Sequence, residues 1–166
     1  DLLIFIRDAR GFDFTGYKRS SLARRIRKRM HEAGSADYVA YRDQLESNAE
    51  EFGHLFNTIL INVTGFFRDT ETWTFLQREV MPELLSDIDP EREIRVWSAG
   101  CASGEEAYSL AIAFSEALGV EESAKRVKIY GTDVDEDAIR DARVGLYSAK
   151  ALEALPAELR GKYFEQ

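Results

Sequence analysis

Residues 94–106 read IRVWSAGCASGEE, and this stretch decides the fold of the C-terminal part of the chain. Its first four residues are strand formers, and the small residues of 98–104 make a turn that leads into a long helical pattern from Glu105. A second strand candidate follows at 127–130, with Asp133 just beyond it. This order of strand, glycine-containing turn, helix, strand and acidic residue is typical of the opening of a nucleotide-binding α/β unit.

The turn after the first strand indicates which kind of nucleotide fits. Small residues let the backbone approach a ligand, but Gly100 and Gly104 do not form the dinucleotide pattern G-x-G-x-x-G. Glu105 and Glu106 would repel a pyrophosphate at the start of the helix. A nucleoside without phosphates and with positive charge fits better, and S-adenosylmethionine meets both conditions. The alternative for Glu106 is structural, because Ser103-x-x-Glu106 has the spacing of a capping box.

Asp133 is placed to accept hydrogen bonds from the two hydroxyls of a ribose. One alternative is an ordinary acidic helix start, since further acids follow at 135–137. A metal site is the other alternative, but the cluster lacks a complete, spaced set of ligands, and no metal is expected.

Residues 62–69, NVTGFFRD, form the most unusual stretch. They set Asn62, Thr64 and Arg68 around two aromatic residues, whose faces attract a sulfonium. Arg68 could clamp a carboxylate of the cofactor or of the substrate. The alternative is a helix-to-helix turn, with both phenylalanines in the core and Arg68 in a surface ion pair.

The part of the chain before this stretch reads as helices. Leu22, Ile26 and Met30 recur every four residues and predict one buried stripe on a helix capped by Ser20 or Ser21. Asn48 and Glu51 resemble a capping box. A further helix over about 70–85 should kink or end at Pro82. Polar residues 86–93 predict a boundary between a helical domain, 1–85, and an α/β domain, 90–166.

Basic residues are concentrated in the second helix, although the net charge of the chain is -8. Seven of the 22 Lys and Arg residues lie there: Lys18, Arg19, Arg24, Arg25, Arg27, Lys28 and Arg29. This run is either a solvated face or a docking surface for an acidic protein segment. Nucleic acid is disfavoured by the overall charge and by the lack of interleaved aromatics.

Composition excludes several other classes. Cys101 is the only cysteine, so no internal disulfide can form, and a reducing cytoplasm is expected. No apolar run approaches the roughly 20 residues of a membrane span. Zinc-type Cys/His sets and a Walker loop are also missing from the sequence.

Three motifs together resemble the CheR family, the chemotaxis-receptor methyltransferases or protein-glutamate O-methyltransferases. They are Asn62-x-Thr64-x-Phe66-Phe67-Arg68, residues 97–109 (WSAGCASGEEAYS) and residues 131–135 (GTDVD), followed by Ala142 and Gly145-x-Tyr147. They occur in the family's order at fitting spacing, and the resemblance covers essentially the whole chain. Ala107 stands where the family pattern usually has Pro.

The resemblance implies a fold of class α+α/β. A helical N-terminal domain would be followed by the first βαβα part of an S-adenosylmethionine-dependent, Rossmann-like methyltransferase domain. The activity implied is transfer of a methyl group from S-adenosylmethionine to glutamate side chains of chemotaxis receptors, with S-adenosylhomocysteine as product. The partner implied is an acidic helical segment of a chemoreceptor, reached in the cytoplasm without membrane insertion.

The resemblance also assigns roles to residues. Asn62, Thr64 and Arg68 would touch the cofactor or border the reaction centre, and Arg68 would orient the incoming carboxylate. The cofactor set is completed by Gly100, Glu105, Glu106 and Asp133, with the glutamates on the methionine part and Asp133 on the ribose. On the basic run, Arg25 and Arg29 are the leading docking residues.

The family continues beyond the point where this sequence ends. Strands that complete the sheet and an Asn-containing segment near the adenine are expected after Gln166, so the sequence should be the front part of a longer protein. The second hypothesis is a non-catalytic adaptor that senses S-adenosylmethionine or binds receptor without transferring a methyl group.

Overall fold

A computed structural model describes residues 2–60 and 62–165, and the chain divides into two compact units, Asp1–Ile61 and Asn62–Gln166. The first unit consists of helices: α1 (Leu2–Arg10), α2 (Arg19–Glu32), α3 (Tyr38–Ser47) and α4 (Ala49–Ile59). The second combines helices with a parallel pair of strands. The class α+α/β is therefore confirmed.

Helix α2 buries the predicted stripe of Leu22, Ile26 and Met30 in the core of the first unit. It begins at Arg19, however, so the predicted serine caps are wrong. The carbonyl of Lys18 accepts from the N–H groups of Ser21 and Leu22 at 3.0 and 3.1 Å. The first turn is closed by the backbone, and the serines lie inside the helix.

Asn48 caps α4 as predicted, because its side chain accepts from the N–H groups of Glu50 and Glu51 at 3.0 and 3.1 Å. In the predicted capping box the Glu51 carboxylate would accept from the N–H of Asn48. It accepts from Arg29 and Tyr41 instead.

The second unit opens with a helical region interrupted by a wide turn. Helix α5 (Thr70–Phe75) passes into a π-helical stretch, Leu76–Val80, and then into α6 (Met81–Asp87). The irregularity predicted at Pro82 lies just before it. Proline has no N–H to donate and crowds the carbonyl four residues earlier, which favours a widened turn in that place.

This helical region packs within the second unit. Met81 forms a buried cluster with Ile94, Ala113 and Phe114. The compact units therefore divide at residues 61 and 62, upstream of the boundary predicted at 86–93, because the apolar side of 70–87 is needed to cover the α/β part.

The α/β part is a βαβ opening followed by further helices. Strands β1 (Ile94–Ala99) and β2 (Val127–Thr132) pair in parallel, from Ile94 opposite Val127 to Ala99 opposite Thr132. Between them lie α7 (Glu105–Leu118) and the short α8 (Val120–Arg126), which the sequence did not predict. Helices α9 (Glu136–Val144) and α10 (Ala157–Tyr163) complete the described unit.

In the part of the chain that the structure describes, no helix combines the length and the apolar character needed to cross a membrane.

Candidate active site

The site lies where the two parallel strands end side by side. Two loops leave at this edge: 100–104 after β1 and 133–135 after β2. The N–H groups of Gly100 and Cys101 both donate to the carbonyl of Thr132, at 2.7 and 3.0 Å, which locks the first loop onto β2. Gly100 has φ +75°, and a Cβ built there meets nothing within 4 Å. The backbone at Gly100 therefore borders open space that a ligand can enter.

Asp133 connects the two loops. One carboxylate oxygen accepts from the N–H of Ala102 at 2.8 Å, and the other accepts from the N–H of Asp135 at 2.9 Å. A carboxylate has about four acceptor positions, so both oxygens retain capacity for ribose hydroxyls. The cap of α9 is Asp135 rather than Asp133, which removes the helix-start alternative for Asp133. Among the described residues, no group of three or more His, Cys, Asp or Glu is arranged to hold a metal ion.

Glu106 is held by the first strand. Its Oε1 accepts a 2.7 Å hydrogen bond from the hydroxyl of Ser98, a β1 residue that is only 1% exposed. Ser103 Oγ donates instead to Glu105 Oε2 at 2.7 Å, and Gly104 occupies the N-cap in a left-handed conformation. The capping box considered for Ser103 and Glu106 is therefore not formed, and the Glu106 carboxylate stays exposed at the edge.

Residues 62–69 are tied to the same edge at two points. The side-chain amide of Asn62 donates to Asp135 Oδ2 at 2.6 Å, and the N–H of Phe67 donates to Ser109 Oγ on α7 at 3.0 Å. Phe66, 2% exposed, packs edge-on against the rings of Tyr147 and Phe164. The ring of Phe66 belongs to the core, as expected if residues 62–69 were a helix-to-helix turn. It is not free to face a sulfonium.

Arg68 and Thr64 lie on this anchored segment. The Arg68 guanidinium is exposed and donates to the carbonyl of Val63, within its own segment. Within residues 2–60 and 62–165 it forms no salt bridge, so the predicted surface ion pair is not found there. Thr64 is half-buried. Phe67 and Asp69 adopt positive φ of 48° and 59°, a conformation that non-glycine residues rarely take and that often marks functional segments.

Tyr147 is a site-supporting residue whose role the sequence reasoning missed. Its hydroxyl donates to the carbonyl of Ser103 at 2.6 Å, and burial raises the pKa of this phenol well above its usual value. The Gly145-x-Tyr147 motif was visible in the sequence but had no assigned task. The structure shows that this tyrosine holds the loop before α7 and packs on Phe66.

The two leading docking arginines are engaged inside the first unit. Arg29 forms a two-pronged salt bridge to Glu51, with Nε to Oε1 at 2.8 Å and Nη2 to Oε2 at 2.6 Å. The Arg25 guanidinium donates to the carbonyls of Thr58 and Ile59, both at 3.1 Å, at the C-terminal end of α4. Both side chains thus stabilise helix packing. The exposed members of the basic run are Lys18, Arg19, Arg24, Arg27 and Lys28.

Comparison with known families agrees with this geometry. The family model described as CheR methyltransferase, SAM binding domain matches residues 62–166, and the one described as CheR methyltransferase, all-alpha domain matches residues 1–60. The chain belongs to the CheR methyltransferase family. The two matches meet where the compact units divide.

Individual relatives include named chemotaxis methyltransferases. A chemotaxis protein methyltransferase of Listeria innocua is 32% identical over 167 residues, covering 99% of this chain and 62% of the relative. Its counterpart in Salmonella typhimurium is 30% identical over 156 residues, covering 93% of this chain and 51% of the relative. An uncharacterised 104.1 kDa protein of Rhodobacter capsulatus is 34% identical over 152 residues, which are 16% of its length. The CheR chain thus spans between half and two thirds of these two named methyltransferases.

The cofactor of this CheR unit is S-adenosylmethionine, as predicted from the sequence. The residues at the edge fit it. Open space borders Gly100, and the side chains around it are carboxylates, which suit an ammonium group and ribose hydroxyls rather than phosphates.

Proposed function

We propose that the protein containing this chain transfers the methyl group of S-adenosylmethionine to glutamate carboxylates of chemoreceptors. The observation that carries the proposal is the double anchoring of residues 62–69 at the cofactor edge, through Asn62 and the N–H of Phe67. Thr64 and Arg68 belong to this anchored segment, while Asp133 follows β2 and Glu106 is held by the end of β1. Family membership supports methyl transfer, and the names of the two chemotaxis methyltransferases support a role in chemotaxis.

Each edge residue has a task in this proposal. Asp133 accepts from the ribose hydroxyls, Glu106 and Glu105 attract the ammonium group, and the bare backbone of Gly100 leaves room for the ligand. When bound, S-adenosylmethionine supplies an electrophilic methyl group on a sulfonium. A substrate glutamate is ionised near neutral pH because its ordinary pKa is about 4.3, so no general base is needed. The chain's contribution is then alignment and exclusion of water, with Arg68 orienting the carboxylate.

Replacing Arg68 by Ala is the test of this function in the full-length protein. Losing a hydrogen bond between charged groups is expected to lower the rate of methyl transfer to receptor at least about tenfold. Affinity for S-adenosylhomocysteine should change less, because Arg68 orients the carboxylate of the substrate. Incorporation of labelled methyl groups measures the first quantity, and calorimetry measures the second.

Arg78→Ala is the matched control, because Arg78 is an exposed arginine on the π-helical stretch of the same unit. Equal rates for the two variants would reject the role of Arg68. Cofactor binding by the wild-type protein without any methyl transfer to receptors would support the non-catalytic adaptor instead.

The partner proposed is an acidic helical segment of a chemoreceptor. We place this interaction in the cytoplasm, because a single free cysteine is typical of a reducing compartment. Since Arg25 and Arg29 are engaged internally, we assign docking to the exposed basic residues of α2. Arg24 and Lys28 lie four residues apart on one side of the helix.

Reversing both charges, in Arg24→Glu with Lys28→Glu, is expected to weaken binding of an acidic receptor-derived helical peptide roughly tenfold at low salt. The effect should shrink as salt increases, since exposed charges are screened. Arg143→Glu with Lys150→Glu makes the same charge change at exposed positions of the other unit. If this control weakens the peptide equally, net charge rather than α2 determines docking.

A further inference from the structure

Asp135 lies at the edge where β1 and β2 end, between residues 62–69 and Asp133. The sequence motif that contains it predicted no role for its side chain. We propose that Asp135 is a positioning residue, which holds two proposed cofactor contacts, Asn62 and Asp133, in place. The inference rests on the proposed function, because it concerns the same site. It requires no contact between Asp135 and the ligand.

The two oxygens of the Asp135 carboxylate do different work. Oδ1 caps α9, accepting from the N–H groups of Asp137 and Ala138 at 3.0 and 3.1 Å. Oδ2 accepts from the Asn62 side chain at 2.6 Å. Serine or asparagine at this position would cap a helix about as well as aspartate does. Capping therefore does not require the second carboxylate oxygen, Oδ2, and this oxygen binds Asn62 instead.

Asp135 also acts through its backbone. Its N–H donates to Asp133 Oδ1, while the N–H of Ala102 donates to Asp133 Oδ2. A continuous chain of hydrogen bonds thus runs from the 62–69 segment through Asp135 and Asp133 to the loop after β1. Because Asp135 is only 5% exposed, water competes weakly for these bonds. Loss of the hydrogen bond between Asn62 and Asp135 removes one of the two contacts that anchor residues 62–69.

Exchange of the two side chains separates this role from a general structural one. Asn62→Asp sets two carboxylates against each other where a 2.6 Å hydrogen bond was. The double variant Asn62→Asp with Asp135→Asn restores a bond in the reverse direction, since the introduced asparagine caps α9 through its oxygen and donates from its amide. Asp135→Ser keeps a capping hydroxyl but removes the oxygen that holds Asn62. Glu136→Gln removes one exposed negative charge of the same helix turn and is the matched control.

Two readouts apply to the full-length protein. In Asp135→Ser, the dissociation constant for S-adenosylhomocysteine should rise about tenfold, the factor expected when a hydrogen bond to a charged group is lost. Asn62→Asp should weaken binding further, because it also changes a proposed cofactor contact, so recovery in the double variant is measured by hydrogen exchange and not by binding. Without any ligand, amide hydrogen exchange over residues 62–69 should be faster in both single variants and return to the wild-type rate in the double variant.

A double variant that exchanges as fast over residues 62–69 as Asn62→Asp would overturn the proposal, as would an Asp135→Ser protein that binds and exchanges like Glu136→Gln. The exchange measurement also separates this inference from the proposed function. If the wild-type protein bound no S-adenosylhomocysteine while the exchange pattern followed expectation, the cofactor assignment would fail and the positioning role of Asp135 would stand.

Discussion

Replacing Glu51 by Leu is expected to lower the free energy of unfolding of the N-terminal unit by about 3 kcal/mol, the order found when a buried ion pair loses one partner. Glu51 is only 4% exposed and accepts from Arg29 at both oxygens, as well as from the hydroxyl of the fully buried Tyr41 at 2.8 Å. Without Glu51, the partly buried Arg29 guanidinium keeps, among the described residues, only its 3.2 Å contact to Glu32, and the buried Tyr41 phenol loses its acceptor.

Fluorescence and circular dichroism can assign the loss to the correct unit. The N-terminal unit contains no tryptophan, whereas Trp73 and Trp97 lie in the second unit, so tryptophan fluorescence does not report on the N-terminal unit. Urea denaturation should show an earlier loss of helical signal in Glu51→Leu. The exposed neighbour Glu50 provides the control, since Glu50→Leu should change stability by under about 0.5 kcal/mol.

A double replacement tests the reason for the loss. Arg29→Met together with Glu51→Leu removes both charges and replaces them with apolar groups, which is often close to neutral. The double variant should therefore be more stable than Glu51→Leu alone. A double variant that is even less stable would show that lost packing, rather than an uncompensated charge, causes the effect.

The same pair predicts how stability depends on pH. Hydrogen bonds from Arg29 lower the pKa of Glu51 below its ordinary value of 4.5. A carboxyl group whose pKa is depressed on folding stabilises the folded state above the unfolded pKa, and this contribution is lost as the pH falls through the folded pKa. The N-terminal unit should thus lose stability below about pH 4.5, and Glu51→Leu should lose less over that range than wild type.

Apolar patterning made much of the fold predictable from the sequence. The four-residue spacing of Leu22, Ile26 and Met30 identified the buried side of α2, and Asn48 marked the start of α4. These features depend on neighbours along the chain, so local sequence contains the required information. The identity of the cofactor could also be predicted from a local pattern, because acidic residues at the start of a helix after a strand disfavour phosphate.

Charged side chains were harder to place, because their partners are distant in sequence. Arg29 looked like a docking residue, but its partner Glu51 is 22 residues away and belongs to another helix. Ser103 and Glu106 had capping-box spacing, yet Gly104 takes the cap position and Ser98 binds Glu106 across the βα turn. Tertiary contacts decided both cases, and no spacing rule contains them.

Replacing Gly104 by Ala is expected to destabilise the second unit by about 3 kcal/mol, combining about 1–2 kcal/mol of left-handed strain with about 1–3 kcal/mol of overlap. Gly104 has φ +95°, and its added Cβ would lie 2.9 Å from Ala142 Cβ and 3.1 Å from the Tyr147 hydroxyl. The Cα of Ala142 is also only 3.3 Å away, so the backbone of α9 or of the loop must move.

Gly100→Ala is the informative comparison, since Gly100 has φ +75° but open space at its Cβ. It should cost strain alone, on the order of 1 kcal/mol, while its methyl group enters the proposed cofactor space and weakens S-adenosylhomocysteine binding. Tryptophan fluorescence during urea denaturation measures the stability of both variants. Adding Ala142→Gly should relieve part of the Gly104→Ala loss, relative to Ala142→Gly alone. If it relieves nothing, strain at Gly104 rather than contact with α9 is what forbids a side chain at the start of α7.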